Sequence, residues 1–208
     1  ASTDEIYITV KGKGGHGAYP HETKDPVVMA AQMLVALQQL VSRNMSPFQP
    51  TVLTFGKVIA NGATNIIPDE VYLERTCRAK DEKVREQAHQ LIHQSATKTV
   101  EAFGGTAAIN IVKGYPVLVN DDAVTKRSYD RAVQYLGADK VKITTPRMGA
   151  EDFAFYSQKV PACFYRLGTG NPEKGITSNI HTPTFNIDED ALKIGMGLMA
   201  YHAISELS

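Results

Sequence analysis

The feature that most constrains this chain is the order in which two hydrophobic periodicities follow one another. Residues 6–11, Ile6-Tyr7-Ile8-Thr9-Val10-Lys11, alternate with a period of two, which puts one face of a strand in a core and the other in water. Residues 27–43 switch to helical spacing, with Val27, Ala31, Leu34 and Val41 on one side, behind Asp25 as N-cap and Pro26 as first helical residue. Residues 51–59 and 71–79 are β-rich and are separated by a polar link containing Gly and Pro, so they read as an antiparallel pair. A second amphipathic helix is expected over 81–103, closed by Gly104-Gly105, and a fourth strand over 107–113. The order β-α-β-β-α-β describes an α+β ferredoxin-like sandwich, with both helices on one face of an antiparallel sheet.

From about residue 118 the pattern changes, and a domain boundary is placed between 117 and 118. A helix is expected over 121–136, a short one over 153–158, an apolar strand over 162–167 and a final helix over 188–207. Leu192, Ile194, Met196, Leu198, Met199 and Ile204 run nearly all the way round that last helix, the pattern of a helix buried within a layer larger than these 208 residues provide.

Composition removes several function classes. Lys+Arg and Asp+Glu both total 22, so no net field draws in a nucleic acid or an anionic membrane surface. The apolar runs fall short of the roughly 20 residues that span a bilayer. Cys77 and Cys163 have no C-x-x-C spacing and sit in apolar surroundings, which points to free thiols in a reducing, cytoplasmic compartment. The first residues carry neither an initiator Met nor a leader pattern, so the chain is expected to begin at a domain edge.

The loop Gly12-Lys13-Gly14-Gly15-His16-Gly17 matches G-x-G-x-x-G in form, but the helix begins well beyond it and position 32 is Gln, so a dinucleotide site is rejected. The glycines instead let the backbone present His16 at a loop tip, where an imidazole suits acid/base or oxyanion chemistry. His89 and His93 share the spacing of a zinc helix, yet Gln90 replaces the required Glu and both project toward the polar side, so a solvated face is the simpler reading. Asn65-Ile66-Ile67-Pro68-Asp69 lies in the turn before the third strand, and Arg78 at that strand's far end offers a fork of donors suited to a carboxylate. Glu151-Asp152 suits the start of a helix, His181 opens His181-Thr182-Pro183 in a loop, and His202 reads as a core or flank histidine.

Taken in order, Gly12-Lys-Gly-Gly-His16-Gly-Ala-Tyr-Pro-His, Asp25-Pro26, Asn65-Ile-Ile-Pro-Asp, Met148-Gly-Ala-Glu-Asp-Phe and His181-Thr-Pro resemble the amidohydrolase branch of the co-catalytic metallopeptidases. That branch contains aminoacylases, hippurate hydrolases and plant auxin-conjugate hydrolases. The resemblance implies a lid or dimerisation domain over 1–117 and, over 118–208, the C-terminal part of an α/β zinc-peptidase-like catalytic domain. It implies N-acyl amino acids as substrates, a homodimer through the lid, and two divalent metals per active site, Zn or Mn, with Co or Ni also suited to imidazole and carboxylate ligands. By position it makes His181 a metal ligand and His16 the lid histidine that reaches a partner's active site to stabilise the oxyanion. Asn65 and Arg78 become the holders of the substrate carboxylate, with Glu151 beside the site. The family's remaining ligands, in a Cys-Gly-His-Asp motif, a Glu-Glu pair and a further His, match nothing in these 208 residues. The chain alone is therefore expected to be inactive and to bind metal loosely. Two other readings compete: a non-catalytic dimerisation module, and a nucleotide-binding ferredoxin-like regulatory domain that rests on fold analogy.

Overall fold

The computed structural model describes residues 1–207. The chain forms two compact units, the first comprising residues 1–118 and 146–155, the second residues 119–145 and those from 156 onward.

In the first unit, β1 (Asp4–Lys11), β2 (Gly15–His16), α1 (Pro26–Gln39), β3 (Thr51–Ile59), β4 (Ile66–Ile67), β5 (Glu70–Ala79), α2 (Glu82–Ala102) and β6 (Thr106–Lys113) follow in chain order. The four long strands make one sheet ordered β3-β5-β1-β6, each neighbouring pair antiparallel, while β2 and β4 form a separate two-residue ladder. The βαββαβ expectation is met. Alternation decides what each strand buries: Ile6, Ile8 and Val10 from β1 and Val71, Leu73, Cys77 and Ala79 from β5. These meet Met29, Met33 and Leu37 from α1 and Val84, Ala88, Ile92, Ala96 and Val100 from α2. Both helices begin at aspartate caps, Asp25 accepting from Val27 N–H at 2.8 Å and Asp81 from Lys83 N–H at 2.8 Å. Each such cap contributes about 0.5–2 kcal/mol. α1 ends at Gln39, and the expected last turn, Leu40–Asn44, is π-helical instead.

Asp4, Arg75, Arg85 and His89 lie inside this unit. His89, expected on a solvated face, is buried, its Nε2 standing 2.6 Å from Oδ2 of Asp4. The reason is that Asp4 opens β1 on the same inward face as Ile6, with no exposed surface, and draws cations from the helix above it. Arg85 donates to the same carboxylate through Nε at 2.9 Å and through Nη2, and also pairs with Glu82. Burial pushes the Asp4 carboxyl up, but the hydrogen bonds from His89 and Arg85 more than offset this and hold it well below the usual carboxylate range. Arg75, also inward on β5, has no such partner. It is 4% exposed, its guanidinium lies over the Phe55 ring at 4.7 Å, and none of its side-chain nitrogens has a hydrogen-bond partner among the described residues. Burial lowers its pKa to about 10.

The second unit contains α3 (Asp122–Leu136), capped by Asp121, and α5 (Asp190–Leu207); a short α4 (Ala154–Ser157) precedes the latter in the chain. α3 and α5 meet through stacked Tyr135 and Tyr201 rings at 5.5 Å and through Arg127 and Arg131, which both pair with Glu206. One expectation is corrected here. Residues 162–167 form no strand: Asp121 N–H donates to the Ala162 carbonyl at 2.9 Å, but no ladder continues from that contact. Asn120 instead clamps Phe164, accepting from its N–H at 2.9 Å and donating to its carbonyl at 3.0 Å. α5, expected to need a layer larger than this chain provides, is buried only at Ala191, Leu198 and His202, and Leu192, Ile194, Met196, Met199 and Ile204 are exposed. No described helix is long and apolar enough to cross a membrane.

Candidate functional site

His16 and Asn65 are brought together by a small two-loop arm. The glycine loop after β1 is pinned to the turn before β5 by Asp69, whose carbonyl accepts from Gly12 N–H at 2.9 Å and whose carboxylate accepts from Gly14 N–H at 2.8 Å. A Cβ at Gly14 would sit 2.4 Å from the Ile67 carbonyl oxygen, so only glycine permits this approach. The β2–β4 ladder then pairs His16 with Ile66, and Gly17 N–H donates to the Asn65 carbonyl at 2.8 Å. Both His16 and Asn65 are exposed at the tip. The His16 Nδ1 accepts from Ala18 N–H at 3.1 Å, and its ring lies against Tyr19 at 5.4 Å. Asp69 was legible only as part of a turn. The signal for its positioning role was its place opposite a run of glycines that needed a fixed partner.

Arg78 occupies the other end of β5. It is half-buried on the sheet face away from the helices, and its Nη1 donates to the Met148 carbonyl at 3.1 Å. The Ala1 amine donates to the neighbouring Gly149 carbonyl at 2.9 Å. Burial lowers the pKa of that amine, Lys80 and Arg78 lower it further, and Glu151 acts in the opposite direction, so Arg78 and Glu151 share this end. The arm carrying His16 and Asn65 joins β5 at Glu70. At about 3.3 Å per residue the strand covers roughly 26 Å between Glu70 and Arg78. Within one protomer the two ends cannot grip one small molecule.

His181 lies in the second unit, exposed, in a turn held by Thr182 Oγ1 to the Asn179 carbonyl at 2.7 Å and Phe185 N–H to the Thr182 carbonyl at 3.1 Å. Its φ of 63° makes it the non-glycine residue with positive φ among those described. Such a backbone costs about 1–2 kcal/mol for an L-residue and is retained where the turn demands it. Among the described residues no group of three or more His, Cys, Asp and Glu stands close enough to hold a metal ion. A zinc-type centre takes three or four protein ligands, so the residues present do not by themselves fit a dinuclear site. His202 is buried in α5 against the Tyr165 ring at 5.7 Å, and burial followed by Arg131 lowers its pKa.

Residues 4–103 match the family described as the peptidase dimerisation domain. The chain is 36% identical over 192 residues to the N-acetyl-L-cysteine deacetylase of Bacillus subtilis, covering 92% of this chain and 44% of that protein. A solved structure of a proposed aminohydrolase from methicillin-resistant Staphylococcus aureus has a TM-score of 0.88 at 29% identity, over 100% of this chain and 53% of that one. A dinuclear metal-binding peptidase of the M20 family from Bacillus subtilis has a TM-score of 0.77 at 27% identity, over 100% of this chain and 50% of that one. The chain thus spans about half the length of the relatives it matches. With its βαββαβ unit built as that domain is, residues 4–103 belong to the M20 peptidase dimerisation domain family, and the likeness to M20 hydrolases continues through the second unit.

Proposed function

We propose that residues 1–117 are the lid and dimerisation domain, and residues 118–208 the C-terminal part of the catalytic domain, of an amidohydrolase that cleaves N-acyl amino acids and works as a homodimer. The observation that carries this reading is the roughly 26 Å of β5 between the His16–Asn65 arm and Arg78. An N-acyl amino acid presents two features to recognise, a scissile carbonyl that becomes an oxyanion and a free carboxylate. Arg78 suits the carboxylate with its planar fork of donors, Asn65 can add an amide donor from a second copy, and His16 beside it can donate to the oxyanion. Glu151 lies at the Arg78 end, where it borders the same substrate. His181 offers one ligand to a metal centre of the Zn or Mn type. More ligands than this one imidazole are needed, so the chain alone is inactive. The free thiols Cys77 and Cys163 suit a cytoplasmic setting.

A second reading, a dimerisation module without catalysis of its own, draws on the match of residues 4–103. Two measurements on the 208-residue chain test the first reading: turnover of N-acetyl amino acids with added Mn²⁺ or Zn²⁺, and sedimentation equilibrium. No turnover together with a dimer is expected. Turnover by the chain would overturn the inactivity, and a monomer at every concentration would overturn the pairing.

A further inference from the structure

The geometry points to His16 being locked as the Nε2–H tautomer, which makes it a hydrogen-bond donor and not a base. The donor role rests on the function proposed above, whereas the tautomer follows from the loop alone. Residues 16–19 form a turn closed by Tyr19 N–H to the His16 carbonyl at 2.8 Å, and the imidazole folds back over that turn. Its Nδ1 then lies 3.1 Å from Ala18 N, which can only donate, so Nδ1 must carry a lone pair and the ring proton must sit on Nε2. Turning the ring over would strip Ala18 N–H of this acceptor, and the Tyr19 ring at 5.4 Å flanks the imidazole as it stands. A hydrogen bond of ordinary net strength shifts a two-state ratio about fivefold.

The outward edge of His16 is therefore Nε2–H, with no protein partner among the described residues. A neutral imidazole presented this way has no lone pair on the edge that meets a ligand. It cannot take a proton from an attacking water, but it can donate to an oxygen on which negative charge develops. Ala18 needs no side chain for this, which is why residue types at the loop tip gave no hint of it.

Long-range ¹⁵N–¹H NMR of the histidine ring in the 208-residue chain, at a pH where the imidazole is neutral, reads the tautomer directly. Nδ1 is expected to be pyridine-like and Nε2 pyrrole-like, in an excess about fivefold above that of a free histidine side chain. Ala18→Pro, which removes the donating N–H, is expected to lower the excess to that of a free histidine side chain while the amide spectrum of the sheet stays unchanged. An Nε2–H excess no larger than that of a free histidine side chain in the parent chain would overturn the lock. The role is tested separately in the full-length enzyme, where His16→Gln carries an amide donor near the position of Nε2 and His16→Asn near that of Nδ1. His16→Gln is expected to keep a kcat at least tenfold above His16→Asn with similar KM. Equal kcat with the tautomer confirmed would overturn the donor role and spare the lock.

Discussion

In the βαββαβ unit Ile6, Ile8, Met33, Leu37 and Leu73 have no exposed surface, whereas in the second unit Ile143, Met196, Met199 and Ile204 are each more than half exposed. Fully burying a large apolar side chain contributes about 1.5–3 kcal/mol, so the first unit holds most of the folding energy visible here. The difference teaches that the arm bearing His16 and Asn65 stands on a closed, self-supporting core. The turn bearing His181 stands on a unit whose helices bury little.

The sharpest way to break this contrast is at Asp4. Asp4→Ala leaves Arg85 and His89 buried without their shared carboxylate, and a loss of about 3–5 kcal/mol in the urea transition of the first unit is expected. A loss below 1 kcal/mol would mean that the network is not part of that core. The same carboxylate sets an acid limb. Because the folded-state pKa of Asp4 is lowered, its stabilisation is complete above the unfolded value of about 4 and disappears as pH falls below it. Asp4→Asn should flatten that limb, and an unchanged limb would assign acid unfolding to other groups.

Arg75 sharpens the comparison in the other direction, since its buried guanidinium nitrogens have no hydrogen-bond partner among the described residues. Arg75→Met should raise the midpoint by an amount worth about 1–4 kcal/mol, and a destabilised variant would show that the guanidinium has a partner in solution. The smallest expected effect compares the two units directly. Asp81→Ala removes the α2 cap and should cost about 0.5–2 kcal/mol in the main transition. Asp121→Ala removes the α3 cap and should leave that transition where it was; a shared shift would mean that the units unfold together.

The sequence made the architecture of the first unit readable because its signals are local. Asp25-Pro26, Asp81 and Gly104-Gly105 mark helix ends by their own capping chemistry, and alternation along β1 and β5 sets which side chains face in. In the structure that alternation, Val71-Leu73-Arg75-Cys77-Ala79, turns Arg75 inward, although the residue type argues for the surface. His89 was misjudged because a helical projection sees only its own helix, while Asp4 arrives from a strand 85 positions away. Residues 162–167 were misjudged for the complementary reason, since an apolar run becomes a strand only when another backbone pairs with it. At the site, the residue types singled out His16, Asn65 and Arg78, but not their separation along β5. Only the register of the strands carries that distance.

If, as proposed, His16 of one copy and Arg78 of another serve one active site, mixing two inactive full-length variants should restore activity. His16→Ala and Arg78→Ala homodimers should each be nearly inactive. After unfolding and refolding together in equal amounts, half the molecules become heterodimers with one intact site, so activity should return to about a quarter of wild type. Mixtures that stay as inactive as either variant alone would contradict a site shared between protomers.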